Sequence, residues 1–216
     1  MKIGIVGATG SFGKGLACRW AKNHTIFVGS RSREKGEQKA REYQAELEKF
    51  GVTGNLVGAS NKDAIAGAEI IVLAVHFEHL FSLVEESYDD FGNKIVICPV
   101  VSLKKEESFC PAPPEEGSVA LLLQKRLPHS AIVSALHTVP ANRLARLDKA
   151  LEGDVPVCGN THEAKERTIG LIREIEHLNP IDAGPLDVSR MIESIVPLIL
   201  NLKQYSLKRN TCIKFI

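Results

Sequence analysis

The stretch "KIGIVGATGSFGKGLA", at residues 2–17, constrains the fold of this chain more than any other. It begins with largely apolar residues, which favour a strand buried on both faces. Glycines follow at positions 7, 10 and 13, and apolar residues then recur at helical spacing at Leu16, Ala17, Trp20 and Ala21. A buried strand, a glycine turn and a helix in this order predict the first unit of an α/β fold with a parallel sheet.

The glycine turn has the spacing G-x-x-G-x-x-G, with Thr9 where the more common motif has its middle glycine. In this arrangement Gly7 allows the tight turn, Gly10 lets a phosphate approach the backbone, and Gly13 lets the helix pack against the strand. The helix start adds unpaired N–H groups and a positive dipole end, which suit a pyrophosphate. The turn therefore predicts a dinucleotide site; the alternative is the same turn in an α/β domain that binds no ligand.

The second predicted strand, "TIFVGSR", indicates which dinucleotide binds. An NAD site usually ends this strand with a carboxylate that accepts hydrogen bonds from the ribose. Here the strand ends in Gly29, Ser30 and Arg31, and Arg33 and Lys35 follow. This basic cluster favours a 2′-phosphate, because an arginine can hold phosphate with two parallel N–H bonds. We therefore predict NADP; the alternative is a solvated basic helix start, which the helix dipole disfavours.

The same alternation continues along the chain. We predict further strands over residues 55–59, 70–75, 94–98 and 131–136, and helices over 33–50, 61–66, 78–88 and 117–126. Alternating strands and helices predict a doubly wound, Rossmann-type parallel sheet with helices on both faces. We assign residues 1–142 to this dinucleotide-binding domain.

Ligands in such sheets bind beyond the carboxyl ends of the strands. Three predicted strand ends, at residues 74–79, 98–102 and 135–141, therefore supply further candidates for cofactor binding. They are Val75, His76, Val101, His137, Thr138, Pro140 and Ala141. The first two suit the adenosine side or the pyrophosphate, and the nicotinamide is expected near the others. His137 can position a ring or a phosphate, or it can be a structural hydrogen-bond partner.

The last third of the chain has a different pattern. We predict one strand over residues 154–159, an amphipathic helix over 162–178, and a long helix from about 187 to 205. The long helix is apolar nearly all round, which predicts burial. Its polar positions Arg190, Ser194 and Asn201, together with Pro197, share one face. This face is either a pocket wall or a set of satisfied polar contacts, and Pro197 is expected to kink the helix.

The proline-rich segment at residues 104–117 predicts a surface loop, because its three prolines exclude a central strand or a helix interior. Such a loop either borders the site or is a plain connection. Its length leaves both alternatives open.

Net charge, cysteine usage and hydropathy exclude several classes of function. A net charge of +1 gives no reason to expect nucleic acid or an anionic membrane as a partner. Five cysteines without a C-x-x-C pair suit free thiols in a reducing cytoplasm. The longest later apolar run, at residues 195–202, is too short to span a bilayer, and the start does not have the pattern of a signal peptide. No metal-ligand spacing and no defensible Ser-His-Asp order is present, so no metal and no catalytic side chain are predicted.

Seven motifs in order make a resemblance specific. They are "GATGSFGKGLA", "VGSR", "SALHTVPA", "DVPVCG", "DAGPL", "SR..ES..PLILNL" and the final "IKFI". With them the chain closely resembles the NADPH-dependent oxidoreductases of the deazaflavin coenzyme F420. The resemblance implies reversible hydride transfer between NADP and the deazaflavin, which would lie in a cleft between the Rossmann domain and a small C-terminal α/β domain over residues 143–216.

The resemblance also implies residue roles. By position, Thr9, Gly10, Ser11, Phe12, Ser30, Arg31 and Lys35 would bind NADP, and Val75 and Ala141 would line its path. We add Arg190, Ser194 and Asn201 as candidate wall residues. The apolar last helix and tail predict a homodimer through the C-terminal parts. Two other functions stay open: an NADP-dependent reductase of a flavin or a small imine or keto acid, and a redox sensor that binds NADP without turnover.

Overall fold

The computed structural model describes residues 1–207 and 212–216. The strands are β1 (Lys2–Val6), β2 (Thr25–Ser30), β3 (Asn55–Ser60), β4 (Ile70–Leu73), β5 (Ile95–Cys98), β6 (Leu103–Lys105), β7 (Phe109–Pro111), β8 (Ala131–Ser134), β9 (Gly153–Gly159) and β10 (Leu178–Gly184). The helices are α1 (Ser11–Trp20), α2 (Arg33–Glu48), α3 (Asn61–Gly67), α4 (Phe77–Glu86), α5 (Tyr88–Phe91), α6 (Val119–Arg126), α7 (Ala141–Leu144), α8 (His162–Arg173) and α9 (Ser189–Leu202). A 3-10 turn (Leu186–Val188) precedes α9, and a π turn (Lys203–Leu207) follows it.

Within the described residues, eight strands form one sheet in the order β10-β9-β8-β5-β4-β1-β2-β3. β1 pairs in parallel with β2 on one side and with β4 on the other. The chain therefore reverses its direction of winding beside β1, which is the switch point where ligands bind in doubly wound sheets. This architecture confirms the predicted Rossmann-type α/β fold.

The core lies on both faces of this sheet. Alternate side chains of β1 and β5 enter different clusters: Ile3 and Ile5 pack with α1, α2 and α8, whereas Val6 and Val96 pack with α4 and α6. Burial on both faces explains why these strands are apolar without alternation.

The C-terminal strands continue the same sheet. β9 pairs antiparallel with β8, with Ser134 opposite Cys158, and β10 then pairs in parallel with β9. The predicted helix over 162–178 is too long, because α8 ends at Arg173 and Leu178 already begins β10. His177, which has a left-handed φ of 67°, separates the two elements. The division of the chain at residue 142 stays a prediction.

Two further predictions need correction. The predicted helix over 78–88 is broken at Ser87 into α4 and α5. The proline-rich segment contains the antiparallel hairpin β6–β7. Prolines are tolerated in this hairpin because the hairpin is separate from the central sheet.

The prediction of a fully buried last helix is wrong for the single chain. Ile192, Glu193 and Pro197 are buried, but Met191 and Leu198 are 71% and 57% exposed. One stripe of α9 packs on the protein body, and the apolar residues of the other stripe face outward.

Candidate functional site

The glycine turn between β1 and α1 has the geometry that its spacing predicts. Gly7 has a φ of 74°, and a Cβ at this position would lie 2.6 Å from the carbonyl oxygen of Ala74. A Cβ at Gly13 would lie 2.5 Å from the Cα of Ala8, so α1 can approach β1 only with glycine there. Gly10 differs, because a Cβ there would meet nothing within 4 Å. The backbone at Gly10 therefore faces open space that a phosphate can enter.

The N-terminus of α1 is open beside that space. Gly10 is its N-cap and provides no side-chain hydrogen bond, and the first helical bond of the turn runs from Lys14 N–H to the carbonyl of Gly10 at 2.9 Å. The N–H groups of Ser11, Phe12 and Gly13 precede that first bond. They are the orphan donors of a helix start, which suit an anion.

Side chains from two other helices hold the turn in place. The N–H of Gly7 donates to Oδ1 of Asn61 at 3.2 Å, and the hydroxyl of Tyr43 donates to the carbonyl of Ala8 at 2.8 Å. Burial raises the pKa of Tyr43 far above its usual range, so its hydroxyl keeps the proton that it donates. Neither residue was a candidate from the sequence, because only the tertiary fold brings them to the turn.

At the end of β2, near this turn, two cationic side chains have no anionic partner among the described residues. Ser30 is 3% exposed, whereas Arg31 and Lys35 are exposed. Ser32 caps α2 by accepting from the N–H of Lys35 at 3.3 Å, and Arg33 pairs with Asp63 at 2.9 Å. Arg31 has no ion pair among the residues that the structure describes, so its guanidinium is available for a phosphate.

Two adjoining cavities form a cleft beyond the carboxyl ends of the strands. The first, of about 440 Å³, includes Gly10, Ser11, Phe12, Val75, His76, Pro99, Leu136, His137, Val139, Ala141 and Val196 in its lining. The second, of about 250 Å³, shares His137, Val139, Ala141 and Val196 and adds Thr138, Pro140, Asn142, Ile199, Leu200 and Lys203. We call these two cavities together the cleft. It runs from the open start of α1 to the wall formed by α9.

His137 stands where the two cavities meet. Both of its ring nitrogens are buried, and neither makes a hydrogen bond of good geometry in the described part of the chain, although the backbone of Val100 lies close enough to favour the charged ring. Burial lowers the pKa of His137 to about 4, so the ring is neutral at neutral pH and offers one donor and one acceptor. The preceding Leu136 has a left-handed φ of 69°, which is strained for this residue type. Buried polar atoms without partners are costly, so a ligand that supplied the missing bonds would bind favourably here.

The structure brings most strand-end candidates together in the cleft. Gly10, Ser11, Phe12, Val75, His76, His137, Thr138, Pro140 and Ala141 all line it. Thr138 is nevertheless buried, and its hydroxyl donates to the carbonyl of Asp154 at 3.3 Å. Gly7 and Thr9 lie in the glycine turn but, like Val101, do not line either cavity.

The polar stripe of α9 lies outside the cleft lining. The side chain of Arg190 packs near Gly117 and lies 3.5 Å from Asp187. The hydroxyl of Ser194 donates to the carbonyl of Arg190 at 2.7 Å. Asn201 exchanges two 2.8 Å hydrogen bonds with the backbone of Phe109 on the hairpin. These contacts give the side chains of Ser194 and Asn201 hydrogen-bond partners within the protein. Of the two alternatives left open by the sequence, this is the set of satisfied polar contacts.

The residues of α9 that do line the cleft were not among the candidates from the sequence. Val196, Ile199 and Leu200 line the cleft, and Lys203 lies at its end. Their only sequence signal is the apolar spacing of the helix, which does not distinguish a cleft wall from a core contact.

The parallel sheet, the open glycine turn and the basic end of β2 define a dinucleotide-binding protein of the Rossmann type. The family described as NADP oxidoreductase, coenzyme F420-dependent, matches residues 2–102. The chain is 38% identical to the F420-dependent NADP reductase of Methanocaldococcus jannaschii, covering 94% of this chain and 92% of that protein. The reductase of the same name from Methanothermobacter thermautotrophicus is 29% identical over 99% of this chain and 94% of that protein. This chain therefore belongs to the family of coenzyme F420-dependent NADP oxidoreductases.

Solved structures show the same fold. A crystal structure of a candidate F420-dependent NADP reductase from Arthrobacter sp. FB24 has a TM-score of 0.83 at 23% identity, covering 100% of this chain and 99% of that one. The pyrroline carboxylate reductase of Plasmodium falciparum, with NADP bound, has a TM-score of 0.58 at 18% identity over 96% of this chain and 67% of that one. Within residues 1–207 and 212–216, the helices are too short or too polar to cross a bilayer.

Proposed function

We propose that this chain transfers a hydride reversibly between NADP(H) and coenzyme F420, and that the reaction takes place in the cleft. The observation that carries the proposal is the continuity of the cleft: it begins at the open start of α1, passes the ring of His137 where the two cavities meet, and reaches the wall formed by α9. Family membership supports the choice of the deazaflavin as the second coenzyme. When both are bound, the nicotinamide and the deazaflavin supply the hydride chemistry.

On the nucleotide side, the backbone N–H groups of Ser11 and Phe12 would hold the pyrophosphate, helped by the dipole of α1. Arg31, with Ser30 and Lys35, would bind the 2′-phosphate. Two hydrogen bonds would keep the turn rigid. The hydroxyl of Tyr43 donates to the carbonyl of Ala8, and the N–H of Gly7 donates to the side-chain oxygen of Asn61.

On the deazaflavin side, the neutral ring of His137 would donate one hydrogen bond and accept one. This fits the carbonyl and N–H groups along the edge of a deazaflavin ring, and it would remove the cost of two unpartnered nitrogens. Val196 and Leu200 of α9 would exclude water from the opposite wall. No side chain needs to break a C–H bond here, so the role of the protein is to align two rings.

The experiment that tests this proposal compares acceptors in one assay. NADPH oxidation is followed with coenzyme F420, with FMN and with a small imine, and each is repeated with NADH. We expect turnover with NADPH and coenzyme F420 at a kcat/KM far above that of every other combination. Faster turnover with FMN or an imine would contradict the proposal, and tight NADPH binding without turnover on any acceptor would indicate a sensor instead.

We further propose that the chain divides functionally at residue 142, that residues 143–216 close the cleft, and that two chains form a homodimer through α9. The outward apolar residues Met191, Ile195, Leu198 and Leu202 are spaced four, three and four apart, a spacing typical of a helix that packs on another helix. Met191, Leu198 and Leu202 are among the exposed large apolar residues. Five free thiols also support a reducing cytoplasm as its location.

Replacing Leu198 by Glu should dissociate this dimer, because a charge would be buried at the centre of the apolar stripe. Light scattering at micromolar concentration should give twice the mass of one chain for the wild type and a single chain for Leu198→Glu. Phe50→Glu is the matched control, since Phe50 is 49% exposed but lies far along the sequence, just beyond α2. A monomeric wild type, or a dimer in both variants, would contradict the proposed interface.

A further inference from the structure

Glu193 is a buried carboxylate on the helix that forms the wall of the cleft. It is 6% exposed, and it accepts hydrogen bonds from the N–H groups of Val119 at 2.9 Å and Ala120 at 3.2 Å. These are the first two residues of α6, so α9 is attached to α6 through one side chain. A second buried contact lies beside it, where the hydroxyls of Ser118 and Ser189 are 2.7 Å apart.

The negative charge of Glu193 is balanced by backbone rather than by a basic side chain in the described part of the chain. The N–H groups and the dipole at the start of α6 favour the ionised carboxylate. Arg190, one turn earlier on α9, is exposed and pairs with Asp187 at 3.5 Å instead. The attachment of α9 therefore depends on the charge state of Glu193 itself.

The position of Glu193 along α9 connects it with the cleft. Val196 lies three residues further on and Leu200 seven, which places both near the same face, at about one and two turns of the helix. Both residues line the cavity that contains His137. A shift of α9 at Glu193 would therefore move the wall against which the deazaflavin is proposed to lie.

We propose that Glu193 is a positioning residue for hydride transfer: its buried carboxyl group holds α9 against α6 and so sets the width of the cleft. Detachment of α9 would return this carboxyl to water, where its pKa is lower, so ionisation of Glu193 favours the detached state. The wall of the cleft is therefore held less firmly when Glu193 is ionised. This inference rests on the proposed function for the step that it affects, but the attachment itself is a property of the protein without coenzymes.

The charge state of Glu193 depends on its burial and on its backbone contacts. Burial raises its pKa to about 7, against the opposing effect of the two N–H bonds. On the side of the sheet, the thiols of Cys98 on β5 and Cys158 on β9 lie near Glu193. Burial holds the pKa values of both thiols well above neutral. The start of α6 contacts Glu193 through the backbone N–H groups of Val119 and Ala120, and the 3-10 turn adds Asp187, which is exposed and paired with Arg190.

The test compares wild type with Glu193→Gln, which keeps the shape of the side chain and cannot ionise. Above about pH 8 the wild-type kcat should fall below that of Glu193→Gln, by up to about tenfold, since misplacement of ~1 Å can cost about a hundredfold. The ratio of the two kcat values should approach one at about pH 6, where the wild type is protonated. The KM for NADPH should stay within about twofold of the wild type, because Arg31 and α1 are untouched. Glu115→Gln, at an exposed position just before α6, is the control for general pH effects.

A ratio that does not change with pH, or a loss expressed mainly in the KM for NADPH, would overturn the proposal. A second measurement, on the wild type alone, decides the matter if Glu193→Gln does not fold. Hydrogen-exchange protection of the Val119 and Ala120 amides should fall as the pH rises above about 7, after correction for intrinsic exchange rates. Constant protection would overturn the attachment without reference to activity, whereas absence of wild-type turnover with coenzyme F420 would overturn only the proposed function.

Discussion

Replacing Arg31 by Ala should raise the KM for NADPH at least tenfold and leave the KM for NADH almost unchanged. The guanidinium lies just beyond β2, exposed and without an ion pair among the described residues, so a 2′-phosphate would gain charge-assisted hydrogen bonds from it. Such bonds contribute roughly 1.5–3 kcal/mol each. At about 1.4 kcal/mol per factor of ten, one lost bond corresponds to a tenfold to hundredfold loss of affinity.

Arg33→Ala is the matched control for this experiment. Arg33 is equally basic and lies two residues further on, but its guanidinium is already bound to Asp63 at 2.9 Å. Its removal should change both KM values by less than about threefold, because exposed ion pairs contribute little. Equal losses for NADPH and NADH in Arg31→Ala would mean that the basic cluster does not recognise the 2′-phosphate.

Replacing His137 by Leu should stabilise the protein without ligands and damage the reaction. The change removes two buried nitrogens that have no hydrogen-bond partner, each of which costs roughly 1–3 kcal/mol if it stays unpaired. For a chain of this size the Tm should rise by a few degrees, at roughly 2–4 °C per kcal/mol. The KM for coenzyme F420 should rise at least tenfold and kcat should fall by up to about a hundredfold, because the rings lose their alignment.

The opposite signs of the two effects distinguish a ligand-binding histidine from a structural one. A structural role predicts that His137→Leu lowers the Tm, and a lower Tm would contradict the binding role. His79→Leu is the control at an exposed position on α4, and it should leave both the Tm and the kinetics unchanged. Turnover should be reduced and not abolished in His137→Leu. Complete loss with both coenzymes still bound would mean that His137 takes part in the chemistry.

The part of the fold that is local in sequence was predictable. The glycine turn between β1 and α1 needs Gly7 and Gly13 for backbone contacts that a Cβ would occupy, so its sequence admits few other structures. β10 was not predicted, because its sequence does not by itself favour a strand. It contains Pro180, polar residues and a terminal glycine, and such a sequence is tolerated only because β10 is the edge strand and pairs with β9 alone.

The candidate site was predictable only where it follows from the parallel sheet. His76 and His137 come directly after predicted strands, and parallel strands place their carboxyl ends along one edge. The wall formed by Val196 and Leu200 depends on how α9 packs, and apolar spacing alone does not reveal this. The same limit explains why α9 was expected to be buried: an apolar face that packs on the core and one that faces outward have the same pattern.

In the proposed reaction the two rings exchange hydride directly in the cleft, and the protein provides only alignment and exclusion of water. Direct transfer is tested with NADPH carrying deuterium at the transferred position, reacted with coenzyme F420 in ordinary water. Mass spectrometry of the reduced deazaflavin should find the deuterium retained in full. Loss of the label to water would contradict direct transfer, because the hydrogen would then have passed through an exchangeable protein group or through solvent.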